Sequence, residues 1–152
     1  MTYRIATLDD VEVITSMYRD FFTFNAEMQP LYNQKAECGD YPINTIKSET
    51  ADIILAEVDG SIAGFTHVLE ETTPPYDSVV QYKFATIMDL FVSPQYRKQG
   101  VGITLLNAAK EWARKRNLSY IELGVMPENK PALGLYMREN FQTVQHQMRC
   151  TL

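Results

Sequence analysis

At 152 residues, with 45% hydrophobic and 22% charged side chains, the chain has the composition of one globular domain, spanning 1–152, with enough apolar residues to bury a core. A formal net charge of −5 excludes nucleic acid as the main partner, because phosphate backbones require a basic footprint. The apolar runs fall far short of a membrane span and the first residues carry no signal or transit pattern, so the expectation is a cytoplasmic protein with no membrane partner.

Tyr3 to Ala6 alternates as a short strand. Thr7 then reads as a helix N-cap with Asp10 as an acidic capping-box variant, ahead of an amphipathic helix carrying Val11, Ile14, Met17, Tyr18 and Phe21 and ending near Phe24. Residues 25–40 read as a loop, followed by a short helix around Ile43 to Glu49. Asp52–Val58 and Ser61–Glu70 form a hairpin across Asp59-Gly60, a pair suited to the tight turn of a right-twisted ribbon. Prolines 74 and 75 end the second strand, and Tyr82 to Val92 forms the next. Gly102 to Arg116 is helical, Tyr120 to Val125 a strand, and Lys130 to Glu139 a helix capped by Asn129, with Asn140 in the left-handed conformation at its end. Phe141 to Thr151 is expected to finish the sheet as one or two strands.

The chemistry concentrates after the long strand, in Arg97-Lys98-Gln99-Gly100-Val101-Gly102. A strand enters a glycine turn and a helix begins at once, so backbone amides and the positive end of the helix dipole point outward where phosphate oxygens can meet them. Arg97 and Lys98 add charge. Two glycines alone equally describe a plain strand-to-helix turn, and the run lacks the Gly-Lys-Ser/Thr ending of a P-loop and the third glycine of a dinucleotide fingerprint. Cys38 and Cys150 lie far apart without CxxC spacing, and with only two histidines in the chain no metal site is expected.

Arg97-x-x-Gly100-x-Gly102 behind Asp89-Leu90-Phe91-Val92 resembles the acetyl-CoA signature of the GNAT superfamily of N-acetyltransferases. Ile121 to Val125, then Asn129, Ala132, Leu135-Tyr136 and Asn140-Phe141, resembles that family's second signature, with Asn140 where a glycine is usual. The resemblance implies an α/β (α+β) GNAT fold: a mixed, twisted sheet of about six to seven strands, about four flanking helices, and a V-shaped splay between two central strands.

It further implies acetyl-CoA as cosubstrate, with no metal, and direct attack of a neutral amine on the thioester in a ternary complex. By the same resemblance, the backbone of Leu90, Phe91 and Val92 holds the pantetheine, and a main-chain N–H near Phe91 or Val92 receives the oxyanion. The amides of Lys98, Gln99, Gly100, Val101 and Gly102, beside Arg97, bind the pyrophosphate. Asn129, Ala132 and Tyr136 line the other side of the arm, and Tyr136 matches the general-acid position. Read without the family, Tyr136 belongs to a packing stripe with Ala132, Leu133 and Met137.

Asp89 is the first choice for general base, and it equally suits a structural carboxylate; Glu70 and Glu122 are further candidates. Met88 occupies the position where some relatives carry glutamate. His67 and His146 stand isolated and read as structural or surface groups. The expected acceptor is a small-molecule primary amine such as a polyamine or amino acid. Aromatic Phe22, Phe24, Tyr32 and Tyr76 with acidic Glu27, Glu37 and Asp77 in the two loops suit a small cation. A peptide acceptor and a non-catalytic acyl-CoA-binding module are the alternatives. The resemblance also allows a homodimer through the C-terminal strands.

Overall fold

The structure, a computed structural model, describes residues 1–152. Its strands are β1 (Thr2–Ile5), β2 (Ala51–Val58), β3 (Ser61–Thr72), β4 (Lys83–Val92) and β5 (Ile121–Leu123), and its helices α1 (Val11–Met28), α2 (Tyr41–Ile46), α3 (Val101–Lys115) and α4 (Lys130–Arg138). The sheet runs in chain order, antiparallel from β1 to β4 and parallel between β4 and β5. No helix is long and apolar enough to cross a membrane.

The period-2 alternation of the central strands divides the core between two faces. Ile53, Leu55, Phe65 and Phe91 turn toward α1, where Ile14, Met17 and Tyr18 meet them. Ile54, Val68, Ala85 and Ile87 turn the other way, onto Leu106, Ala109 and Trp112 of α3 and Tyr136 of α4. At Gly64 an added Cβ would stand 2.5 Å from the Phe91 carbonyl oxygen, so β3 and β4 reach their spacing there only because that residue has no side chain.

Local signals set most boundaries. The Thr7 N–H donates to Asp10 Oδ2 at 2.8 Å, closing the capping box around a 3-10 turn, Leu8–Asp10, that leads into α1. Asp59 and Gly60 both take positive φ, 50° and 78°, as a two-residue hairpin turn demands. Asn140 takes φ 67°, which asparagine tolerates.

Three expectations are corrected. α1 runs to Met28 rather than ending near Phe24: Ala26, Glu27 and Met28 are strong helix formers, and the Gln29 N–H closes the last turn onto the Asn25 carbonyl. α2 opens at Tyr41, with Pro42 in its first turn, two residues before the expected start at Ile43. The sheet has five strands rather than six or seven, since Phe141 to Thr151 joins no ladder. Beyond the bond from the Phe141 N–H to the Tyr136 carbonyl, that segment makes no backbone hydrogen bond, and every residue from 142 to 152 is exposed. Its alternation is real, with Val144, His146, Met148, Cys150 and Leu152 against Thr143, Gln145, Gln147, Arg149 and Thr151, but it pairs with no strand of the same chain.

Candidate active site

β4 and β5 part company early. Their pairs are Ala85–Ile121, Thr86–Glu122 and Ile87–Leu123, after which β4 continues to Val92 without a neighbour on that side. The parting coincides with a β-bulge: Ile87 lies opposite Val68 and Asp89 opposite His67, leaving Met88 as the extra residue. A bulge bends and twists its strand, here at the point where the pairing stops. This is the V-shaped opening expected between the central strands.

Main-chain groups of β4 then face the opening. The Ser93 N–H donates to the Ala63 carbonyl at 3.0 Å, so β3 takes the groups of Ser93 and, by alternation, of Phe91. Leu90 and Val92 turn theirs to the empty side, and the Val92 carbonyl accepts from Arg97 Nε at 3.0 Å. Phe91 contributes its ring to the α1 side instead.

Beyond Val92 the chain makes a short 3-10 turn, Pro94–Tyr96, and reaches the glycine run. Lys98 and Gly100 take positive φ, 60° and 86°, and α3 starts at Val101. Six consecutive backbone N–H groups, Lys98 through Ile103, make no hydrogen bond within the protein; the first closed turn is Thr104 N–H to the Gly100 carbonyl. Alternating hand in a loop ahead of a helix turns such amides to a common side, which makes an anion-binding concavity. Gly102 lets α4 approach, since a Cβ there would meet Leu135 Cδ2 at 3.0 Å. The Arg97 guanidinium lies 5.0 Å from the Phe24 ring centroid and 5.8 Å from that of Phe91, leaving its two terminal nitrogens free.

α4 closes the other wall. The Asn129 side chain accepts from the Ala132 N–H at 3.3 Å, capping the helix, so its carboxamide oxygen is already engaged. Tyr136 is 9% exposed and packs in the cluster that holds Ile87, Leu90, Leu123 and Val125, at the opening itself. Burial raises its phenol to about 12, so it keeps its proton throughout the neutral range.

Asp89 lies on the opposite face of the fork from Tyr136. Its Oδ2 accepts from Tyr18 Oη at 2.8 Å and lies 3.6 Å from His67 Nδ1, while Tyr41 packs edge-on against the His67 ring at 4.9 Å. Burial, and then the neighbouring Asp89 carboxylate, pushes the Tyr18 and Tyr41 phenols well above the ordinary range. Sequence reasoning missed Tyr18, Tyr41 and His67 as companions of Asp89. Only β-strand register, which places His67 opposite Asp89, carries a trace of them.

The other candidates disperse. Glu70 pairs with Lys83 and Arg116 on the α3 face. Glu122 is exposed on β5, on the face opposite Ile121 and Leu123. Phe24 and Glu27 line a cleft of about 430 Å³ with Asp20, Thr23, Phe91 and Arg97. Glu37 pairs with Arg19, Phe22 packs on Tyr18, and Tyr76 and Tyr32 are exposed.

Comparison with known proteins fits this geometry. Residues 11–141 match the family model described as Acetyltransferase (GNAT) family. The uncharacterized N-acetyltransferase MJ1207 of Methanocaldococcus jannaschii is 29% identical over 93% of this chain, which spans 60% of that protein's length. The uncharacterized N-acetyltransferase YhfO of Bacillus subtilis is 26% identical over 93% of this chain and 90% of its own. Among solved structures, a mutant of the BH1408 protein from Bacillus halodurans superimposes with a TM-score of 0.91 at 19% identity, over 100% of this chain and 99% of its own. A predicted acetyltransferase from Clostridium acetobutylicum, crystallised with acetyl-CoA, gives 0.75 at 18% identity over 99% and 95%.

Proposed function

Since the chain belongs to the acetyltransferase (GNAT) family and is an N-acetyltransferase, we propose that it moves the acetyl group of acetyl-CoA to a primary amine of a small molecule by direct attack in a ternary complex. The observation that carries this reading is a line of main chain with two unpaired stretches. They are the Leu90 groups and the Val92 N–H on the open side of β4 and, past the bonded amides of Tyr96 and Arg97, the free amides of Lys98 to Ile103.

That line fits acetyl-CoA in two parts. The amides of residues 98–103, with the free nitrogens of Arg97, take the pyrophosphate. The strand edge takes the amide-bearing pantetheine as an added strand would be taken. Acetyl-CoA supplies the activated acyl group. The Val92 N–H donates to the carbonyl oxygen as negative charge builds on it, the task of an oxyanion hole. Tyr136, held protonated, donates to the departing sulfur. Asp89, across the fork, draws in the acceptor ammonium and receives its proton. Its side chain is 18% exposed between Tyr18 and Tyr41, which favours a slender amine over a folded protein surface.

The test is CoA release from acetyl-CoA with a panel of polyamines, amino acids, aminoglycosides and short peptides. Turnover with a small amine supports the reading, and turnover confined to peptides moves the acceptor to polypeptide N-termini. Tight CoA binding with no turnover identifies a binding module. A homodimer is part of the same proposal: the exposed, alternating segment 142–152 and the open edge of β5 supply a strand and a place for it in a second copy.

A further inference from the structure

Among the buried side-chain nitrogens and oxygens, His67 Nδ1 is the one with no hydrogen-bond partner in the protein. The residue is 3% exposed. Buried polar atoms are nearly always paired, and an apolar side chain of similar size would fill the space without that cost. The orphaned nitrogen points at something specific: it lies 3.6 Å from Asp89 Oδ2, across the β-bulge.

The groups facing Asp89 come from every element packed around it. α1 supplies Tyr18, α2 supplies Tyr41, β3 supplies His67, and Cys38 of the loop before α2 stands beside Tyr18. No lysine or arginine pairs with the carboxylate. The two phenols act as donors and cannot take up a proton. That leaves the imidazole as the one neighbour able to accept a proton that has reached Asp89. A carboxylate alone is a poor match for an alkylammonium, being far less basic than the amine it must deprotonate; an imidazole closes part of that gap.

We propose that His67 is a positioning residue for amine deprotonation, forming with Asp89 a two-membered relay in which the carboxylate meets the acceptor ammonium and the imidazole stores its proton. The inference rests on the acetyl-transfer reading above. In the step, one N–H bond of the ammonium breaks and its electron pair stays on nitrogen. The proton crosses the carboxylate to Nδ1, and the resulting imidazolium remains beside Asp89 until solvent removes the proton. The neutral ring therefore begins with its hydrogen on Nε2. Tyr18 holds Oδ2 in place, and Tyr41 fixes the plane of the ring.

The test uses the full chain with 15N-labelled histidine, in which exposed His146 is the internal control. Asp89→Asn is expected to move the His67 titration to lower pH by about one unit or more and to leave His146 in place. A His67 that does not respond, or does not titrate between about pH 5 and 9, overturns the relay. In parallel, wild type and His67→Gln are compared as kcat/KM against pH, with acetyl-CoA and the panel amine that wild type acetylates fastest. The expected deficit is roughly ten- to a hundredfold near neutrality and shrinks to under about threefold in alkali, where free amine is abundant, with KM for acetyl-CoA unchanged. An equal loss at every pH marks a packing role and overturns the relay, as does an unchanged profile. The Asp89→Asn titration does not require the His67 variant to fold. Wild type inert toward every amine overturns acetyl transfer itself and the relay's role with it. The histidine titration distinguishes that failure, because the coupling of His67 to Asp89 is then intact.

Discussion

Tyr136 and His67 sit on opposite faces of one fork, and substitutions at the two sites should leave different signatures. A phenol held near 12 does not ionise until pH approaches that value, so Tyr136→Phe removes a donor that is present at every working pH. We expect kcat to fall about a hundredfold without pH dependence, and KM for acetyl-CoA to stay within about twofold, read by thiol release. Gly100 makes a second residue-scale prediction. Its φ of 86° strains any L side chain, so Gly100→Ala should cost about 1 kcal/mol of stability and weaken CoA binding about tenfold by calorimetry. An unchanged affinity would mean the amides of residues 98–103 do not hold the cofactor. At this scale the sequence was legible where residues act locally: the glycine run, Asn129 and Asn140 announce their backbone roles by type and spacing. Tyr18 and Asp89 are 71 positions apart, and their bond depends on α1 packing over β4. No local pattern records such a meeting.

Elements were readable wherever a single stretch of chain carries its own stop signals. The hairpin at Asp59-Gly60, the capping box at Thr7 and the cap at Asn129 appear where their residue types require. The capping box has a thermodynamic consequence. Arg4 grips both Asp10 oxygens at 2.8 Å, and that guanidinium holds the carboxyl down at about 2 against 3.8 for a free aspartate. A depressed acid stabilises the fold when ionised, so this contribution is complete above about pH 4 and disappears as pH falls through about 2. Arg4→Ala should therefore lower stability by about 1 kcal/mol at pH 7 and by much less at pH 2, measured by urea unfolding at both values. Gly64→Ala should cost more, about 2 kcal/mol or above, because the clash is with the Phe91 backbone and cannot be relieved by a rotamer change. The strand expected after Phe141 failed for a different reason. Alternation specifies a strand's two faces but not its neighbour, and the segment pairs with no strand of this chain.

At the scale of the molecule, the exposed segment 142–152 makes a prediction about mass. Val144 is 87% and Met148 91% exposed, an apolar stripe that a second copy would cover. Removing residues 143–152 should convert a dimer into a monomer by sedimentation, with acetyl-CoA binding kept within about threefold; a full-length chain that sediments as a monomer sinks the dimer. The order of elements and the mixed sheet were legible because hairpins and a strand–helix–strand crossover leave few alternatives. The opening between β4 and β5 was expected only through family resemblance, since the bulge that accompanies it has no residue signature. That bulge turns access into a matter of counting. With Met88 present, β4 has one residue more than its partner can match, and the ladder to β5 stops at Ile87–Leu123. Deleting that one residue would let the two strands zip onward through Gly124 and Val125, trading the entrance for three or so hydrogen bonds. Amide exchange at those two residues would slow as acetyl-CoA lost its hold. Sheet continuity and an open strand edge are thus rival uses of the same backbone groups, and the bulge at Met88 stands where one gives way to the other.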